Sequence, residues 1–175
     1  MNIKLEPATA EHAEHISLIG RQSFSDAFAH LFLKDEELQD YLDHTYDPAR
    51  LKESIAKPNN AVFMAFYDNQ PAGFVKMKKD SRHRVIPAER QSELQKIYVL
   101  KEFHGTGVAQ ALMNEVADLS RRIATGCLWL DVHVANDKAI RFYEKNGFNK
   151  AGRHEFMIGT QLFHYHVMAL PIQTS

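Results

Sequence analysis

Apolar and polar residues alternate along Asn2-Ile-Lys-Leu-Glu6, the two-residue period of a strand with one face against a core. The period then lengthens. From Ala10 to about Phe28, the residues Ala13, Ile16, Phe24 and Phe28 recur at helical intervals, so the chain opens as strand then helix. Asp47-Pro48 has the form of a helix start, an acidic cap followed by proline at the first helical position, and Leu51 and Ile55 supply the apolar face. Pro58-Asn-Asn60 ends that helical region. Two strand-like runs follow, Ala61 to Tyr67 and Ala72 to Lys78, joined as a hairpin through Asp68-Asn-Gln-Pro71. The charged stretch from Lys79 to Gln91 contains Pro87 and reads as a loop, ahead of a third strand-like run from Glu93 to Leu100.

Within that third run the spacing slips. Leu94 and Ile97 would fall on opposite faces of a regular strand, and either a β-bulge near Gln95 or a simple strand edge accounts for it. Val108, Leu112, Val116, Leu119 and Ile123 then step by four or three, which predicts a helix over about 106–123. Leu128, Leu130, Val132 and Val134 alternate with Trp129, Asp131 and His133, the pattern of a strand with one buried face. Asn136 caps a short helix that carries Ala139, Phe142 and Tyr143 on one side, and Gly147 follows its last turn. Phe148 to His154 and Gln161 to Leu170 read as two closing strands. This order of elements predicts a mixed α/β layer fold, not a doubly wound repeat.

A length of 175 residues suits one domain, 1–175, and 45% hydrophobic with 25% charged residues is a globular composition. The formal net charge of -1 argues against a nucleic-acid binder. The lone Cys127 cannot form an internal disulfide, and neither a signal-like opening nor an apolar run of about 18 residues is present, so a cytoplasmic protein without membrane insertion is expected.

Chemistry concentrates at His104-Gly-Thr-Gly-Val-Ala109, between a strand and a helix. Unpaired N–H groups at a helix start carry partial positive charge, and glycines let a phosphate approach them; a tight turn that simply needs glycine is the plainer account. The Gly-Lys-Ser/Thr of a Walker A loop and the third glycine of a dinucleotide fingerprint are both missing, because Val108 and Gln110 occupy those places. ATP and dinucleotide binding lose their support.

Here the sequence resembles the GNAT superfamily of N-acetyltransferases, whose cofactor loop runs Gln or Arg, two variable residues, Gly, one variable residue, then Gly or Ala. His104, Gly105, Thr106, Gly107, Val108 and Ala109 follow that pattern except at His104. The likeness extends through Glu93-Leu-Gln-Lys-Ile-Tyr-Val-Leu100, Leu128-Trp-Leu-Asp-Val-His-Val-Ala-Asn136 and Ala139-Ile-Arg-Phe-Tyr-Glu-Lys-Asn-Gly-Phe148. It implies a central, mostly antiparallel twisted sheet with a splayed parallel strand pair and helices on both faces. It further implies acetyl-CoA as co-substrate, with Ile97, Tyr98 and Val99 facing the pantetheine and residues 104–109 the pyrophosphate. Asn136, Ala139, Phe142 and Tyr143 would flank the thioester.

Acetyl transfer to an amine needs a base for the amine proton, N–H donors for the oxyanion and an acid for the thiolate. The resemblance places Tyr143 beside the sulfur as the acid; a tyrosine packed in the core is the alternative. Glu93, opening the strand expected to line the site, is the first choice of base, and His133 the second; both also read as ordinary strand residues. Backbone N–H groups near Ile97 to Val99 are the expected oxyanion donors. His164 and His166 share a strand face without a supporting carboxylate or cysteine cluster, so no metal is expected. Asp26, Asp35, Glu36, Glu37 and Asp40, interleaved with Phe28, Phe32 and Tyr41, favour a cationic, partly apolar acceptor, as in the polyamine and small-amine acetylating branch; acids at a helix start are the alternative. Protein N-termini or lysines are the next acceptors, a non-catalytic acyl-CoA sensor is a reading of another class, and the closing strand pair offers a surface for a homodimer.

Overall fold

The computed structural model describes residues 1–173. Its strands are β1 (Ile3–Pro7), β2 (Asn60–Tyr67), β3 (Gln70–Lys78), β4 (Gln91–Val99), β5 (Cys127–His133), β6 (Asn149–Ile158) and β7 (Gln161–Pro171). They form one sheet in the order β1-β2-β3-β4-β5-β7-β6. The helices are α1 (Ala13–Phe28), α2 (Asp35–Thr45), α3 (Pro48–Ala56), α4 (Val108–Arg122) and α5 (Asp137–Lys145). Every neighbouring pair of strands is antiparallel except β4 and β5. This is the arrangement that the family resemblance implied.

Two apolar layers hold the sheet. On one face, Val108, Leu112, Met113 and Val116 of α4 pack with Leu94 of β4 and Leu128, Leu130 and Val132 of β5, and Ile140 of α5 joins them. On the other, Ile16, Ile19 and Phe24 of α1 and Leu38 and Leu42 of α2 pack with Tyr46 and with Met64 and Phe74 of the sheet. Burial of such side chains supplies the main driving force for the fold. The Asp47 carboxylate accepts a hydrogen bond from Arg50 N at 3.0 Å, so the cap read from the sequence does start α3. Among the described residues, no helix is long and apolar enough to cross a membrane.

Two details of β4 position the site. Lys76 of β3 pairs with Lys96, but the next residue, Met77, pairs with Leu94, so Gln95 is the extra residue of a bulge. That bulge puts Leu94 and Ile97 against the same core despite their odd spacing. Further, β4 pairs with β5 only from Gln91↔Cys127 to Glu93↔Trp129. Beyond Glu93 the parallel strands part, leaving one edge of β4 without a strand partner.

Several boundaries differ from the sequence reading. Helix α2 was not resolved as a separate element, because acids and aromatics there give no clean apolar stripe. The hairpin turn is only Asp68-Asn69, at φ 46° and 65°, the conformation of a two-residue turn that matches strand twist. Strand β6 runs to Ile158 instead of His154, because most of its residues are exposed on this sheet edge and leave no alternation to follow.

Candidate active site

Where β4 and β5 part, a cleft of about 690 Å³ passes through the sheet. Ile97, Tyr98 and Val99 line one wall, and Asn136, Ala139, Phe142 and Tyr143 of the α5 region line the other. The unpaired edge of β4 thus presents backbone N–H and C=O groups to an extended ligand, as a missing strand would meet them. The Asn136 side chain accepts from Ala139 N at 3.2 Å and fixes the start of α5. Phe142 and Tyr143 follow on the helix face turned to the cleft.

The glycine turn closes one end of the cleft. Gly105 and Gly107 hold φ at 78° and 94°, a left-handed backbone that glycine adopts without strain. A Cβ built at Gly105 would meet nothing within 4 Å, so the loop faces open space. The first N–H groups of α4 have no acceptor within the helix and suit a phosphate. His104, Gly105, Gly107 and Ala109 line the cleft, whereas Thr106 and Val108 do not. The Thr106 hydroxyl bonds Phe103 O at 2.6 Å, and Val108 is buried in the core, so these two residues offer backbone only.

His104, the departure from the family loop, has two partners. Its Nε2 lies 3.0 Å from Val99 O, which can only accept, so the proton sits on Nε2. Nδ1 then accepts from the Lys138 ammonium at 3.0 Å. The imidazole ties the glycine turn to β4 and orients Lys138, which lines the cleft together with Lys101. Those two cations were not singled out in the sequence.

A second hollow lies on the α1 side of the sheet and shares Phe28, Gln95, Lys96, Tyr98 and Asp131 with the cleft. Asp131 stands at this junction, two residues past the last β4–β5 rung. Its Oδ2 accepts from His154 Nδ1 at 2.8 Å, and its Oδ1 is buried with no hydrogen-bond partner. That oxygen keeps the capacity to accept one more hydrogen bond, from water or from a ligand group.

Glu93 and His133 fall on either side of this point. Glu93 lines the second hollow but not the cleft, and its Oε2 accepts from Ser81 Oγ at 2.8 Å. The bulge at Gln95 also removes the regular pleating that would have set Glu93 and Gln95 on one face. His133 lines the cleft, but its Nδ1 accepts from Ala135 N at 3.1 Å, which leaves the proton on Nε2. Burial, with His164 and His30 nearby, lowers its pKa and keeps it neutral. In that tautomer it offers the cleft a donor instead of a base. Burial pushes the Tyr143 phenol well above its ordinary pKa, so it stays protonated.

His83, Asp131 and His154 present ligand atoms within 4.8 Å of one another, a set that could hold a metal ion. The hydrogen bond between His154 and Asp131 already accounts for two of the three. The sequence reading weighed only His164 and His166; His164 instead pairs with Glu155 at 3.4 Å. Of the acidic stretch, only Asp26 reaches the cleft. Glu37 is held by Thr160 N at 3.1 Å, while Asp35, Glu36 and Asp40 are exposed on α2, where the first two complement the helix start.

Residues 25–148 match the model of the Acetyltransferase (GNAT) family. An uncharacterized N-acetyltransferase of Mycobacterium bovis is 31% identical over 133 residues, which is 76% of this chain and 81% of that one. N-alpha-acetyltransferase 30 of Schizosaccharomyces pombe is 25% identical over 142 residues, 79% of this chain and 93% of its own. The solved PaiA N-acetyltransferase of Thermoplasma acidophilum, in complex with coenzyme A, superposes with a TM-score of 0.79 at 20% identity, covering 98% of this chain and 99% of the other.

Proposed function

The chain belongs to the Acetyltransferase (GNAT) family, and on that premise we propose that it moves the acetyl group of acetyl-CoA onto a small primary amine in the cytoplasm. One observation carries this reading: a single passage runs from the glycine turn, along the free edge of β4, to a carboxylate reachable from the opposite face of the sheet. The co-substrate enters from one side and the acceptor from the other. His104 to Ala109 and Lys138 hold the pyrophosphate, Ile97 to Val99 the pantetheine, and Asn136, Ala139, Phe142 and Tyr143 flank the thioester.

An alkyl amine with the pKa of lysine is only about one part in a thousand neutral at pH 7, so a base must remove its proton. Asp131 takes that role. His154 holds one carboxylate oxygen and leaves Oδ1 for the amine or a relaying water. The new N–C bond forms, the oxyanion is met by N–H groups of β4, and the C–S bond breaks while Tyr143 hands its proton to the sulfur. Glu93, on the acceptor side, is a second base acting through water, and His133 a donor that orients the acceptor.

Acetylation of protein N-termini is a second reading, favoured by the likeness to N-alpha-acetyltransferase 30. The test is thiol release from acetyl-CoA with a panel of small amines, polyamines and N-terminal peptides. Turnover on small amines is expected; turnover on peptides alone selects the second reading. Acetyl-CoA binding without release on any amine would instead mark a sensor.

A glycine outside the loop is also required. Gly73 of β3 faces Val99, and a Cβ there would stand 2.6 Å from Tyr98 O and 3.0 Å from Val99 Cγ2. Gly73→Ala is therefore expected to cost about 1–3 kcal/mol of stability by overpacking. By displacing the segment that faces the pantetheine it should also raise the KM for acetyl-CoA severalfold. Urea unfolding beside steady-state kinetics checks both.

A further inference from the structure

We propose that the acceptor is a bifunctional amine, carrying a carboxylate or phosphate that Lys96 and Lys76 hold while its amino group meets Asp131. The proposal rests on the transferase reading above and names its substrate class.

Lys76 and Lys96 are direct cross-strand partners on β3 and β4. Like charges opposed on one rung destabilise a sheet, so something should repay the arrangement. Both side chains are half-buried, both line the second hollow, and Lys96 also lines the cleft beside Ile97. Among the described residues, the ion pairs lie elsewhere and neither ammonium has a carboxylate partner. Lys96 is nonetheless held in place, its Nζ 5.1 Å above the ring of the fully buried Tyr46. Burial first, and then the charge of Lys78 on Lys76 and of Lys76 on Lys96, lower both lysines to a pKa of about 8, so at neutral pH both remain mostly cationic and would gain from an anion.

Other charges in the hollow agree. Arg50 of α3 adds a third cation to the lining. The acids there are Glu93, bonded to Ser81 and opposite Lys78 two rungs along, and Asp131, bonded to His154. Glu93 offsets the lysines only in part, since both keep a lowered pKa in its presence. His44 and His154 add no negative charge. A polyamine would bring its second cation against the lysine pair, whereas an acidic amine would neutralise it and leave its amino end for the base.

Two matched pairs test this: phosphoethanolamine against ethanolamine, and β-alanine against β-alaninamide. Each is titrated calorimetrically into the protein saturated with coenzyme A and assayed for turnover with acetyl-CoA. At least one member that carries the acidic group is expected to bind about tenfold more tightly than its partner without it, the worth of one charge-assisted contact. That ratio should collapse in Lys96→Gln and shrink in Lys76→Gln, and Lys76→Gln, outside the cleft, should retain acetyl-CoA binding. Equal binding within both pairs, tighter binding of spermidine, or a ratio unmoved by both substitutions overturns the proposal. Selective binding without turnover upholds the anion site and sinks the transferase reading; turnover without selectivity does the reverse.

Discussion

Asp131→Asn is expected to lower kcat for amine acetylation about 1,000-fold, within the range that a positioned general base supplies. The amide has the same shape and its oxygen can still accept from His154 Nδ1, so the strand geometry and the melting temperature should hold. What it lacks is an oxygen able to take a proton. Equilibrium binding of acetyl-CoA should be unchanged, because the glycine turn and the β4 edge are untouched. Added formate should restore part of the rate. Glu93→Gln is the comparison, since Glu93 lines only the acceptor hollow. If that variant shows the thousandfold loss while Asp131→Asn keeps more than a tenth of the rate, the base is Glu93 acting through water.

The proposed base was hard to read in the sequence for a specific reason. Glu93 opens the strand as the sequence alone bounds it, which made it prominent, but β4 starts at Gln91 and the rung Glu93↔Trp129 is the last one on which β4 and β5 are still paired. Asp131 lies beyond the parting and on the same face of β5 as Trp129 and His133. Period alone identified that face but not the rung where pairing stops, because the stop depends on how two strands distant in sequence diverge. The slip between Leu94 and Ile97 was a local sign of the same event, and it did locate the bulge at Gln95.

Long-range register hid the proposed acceptor site in the same way. The acidic stretch around Asp35 and Glu36 was conspicuous as a run, yet it complements the start of α2. Lys76 and Lys96 are twenty residues apart and become neighbours only through the β3–β4 ladder. By contrast, the glycine turn, the Asn136 cap and the α5 face of Ala139, Phe142 and Tyr143 are local patterns. Each was legible because its geometry follows from a few adjacent residues.

Tyr143→Phe carries the second large effect, a fall in kcat of about 100-fold, toward the lower end for a lost general acid. A thiol with a pKa near 8.5 leaves with some ease on its own, so an acid helps its departure less than a base helps an amine of pKa near 10.4. Tyr143 packs edge-on against Phe142 and Phe148, with ring centroids 5.6 and 5.8 Å apart, and phenylalanine preserves both contacts. Folding stability and acetyl-CoA affinity should therefore stay near those of the parent, separating the loss of the hydroxyl from any loss of packing. Since burial raises the phenol pKa above its usual value of about 10, the hydroxyl stays protonated through neutral pH, and no falling limb below that pH belongs to it. The variant's pH profile should run parallel to the parent's at a lower level. A rate within twofold of the parent would mean that the ring only packs and that the thiolate leaves without help from Tyr143.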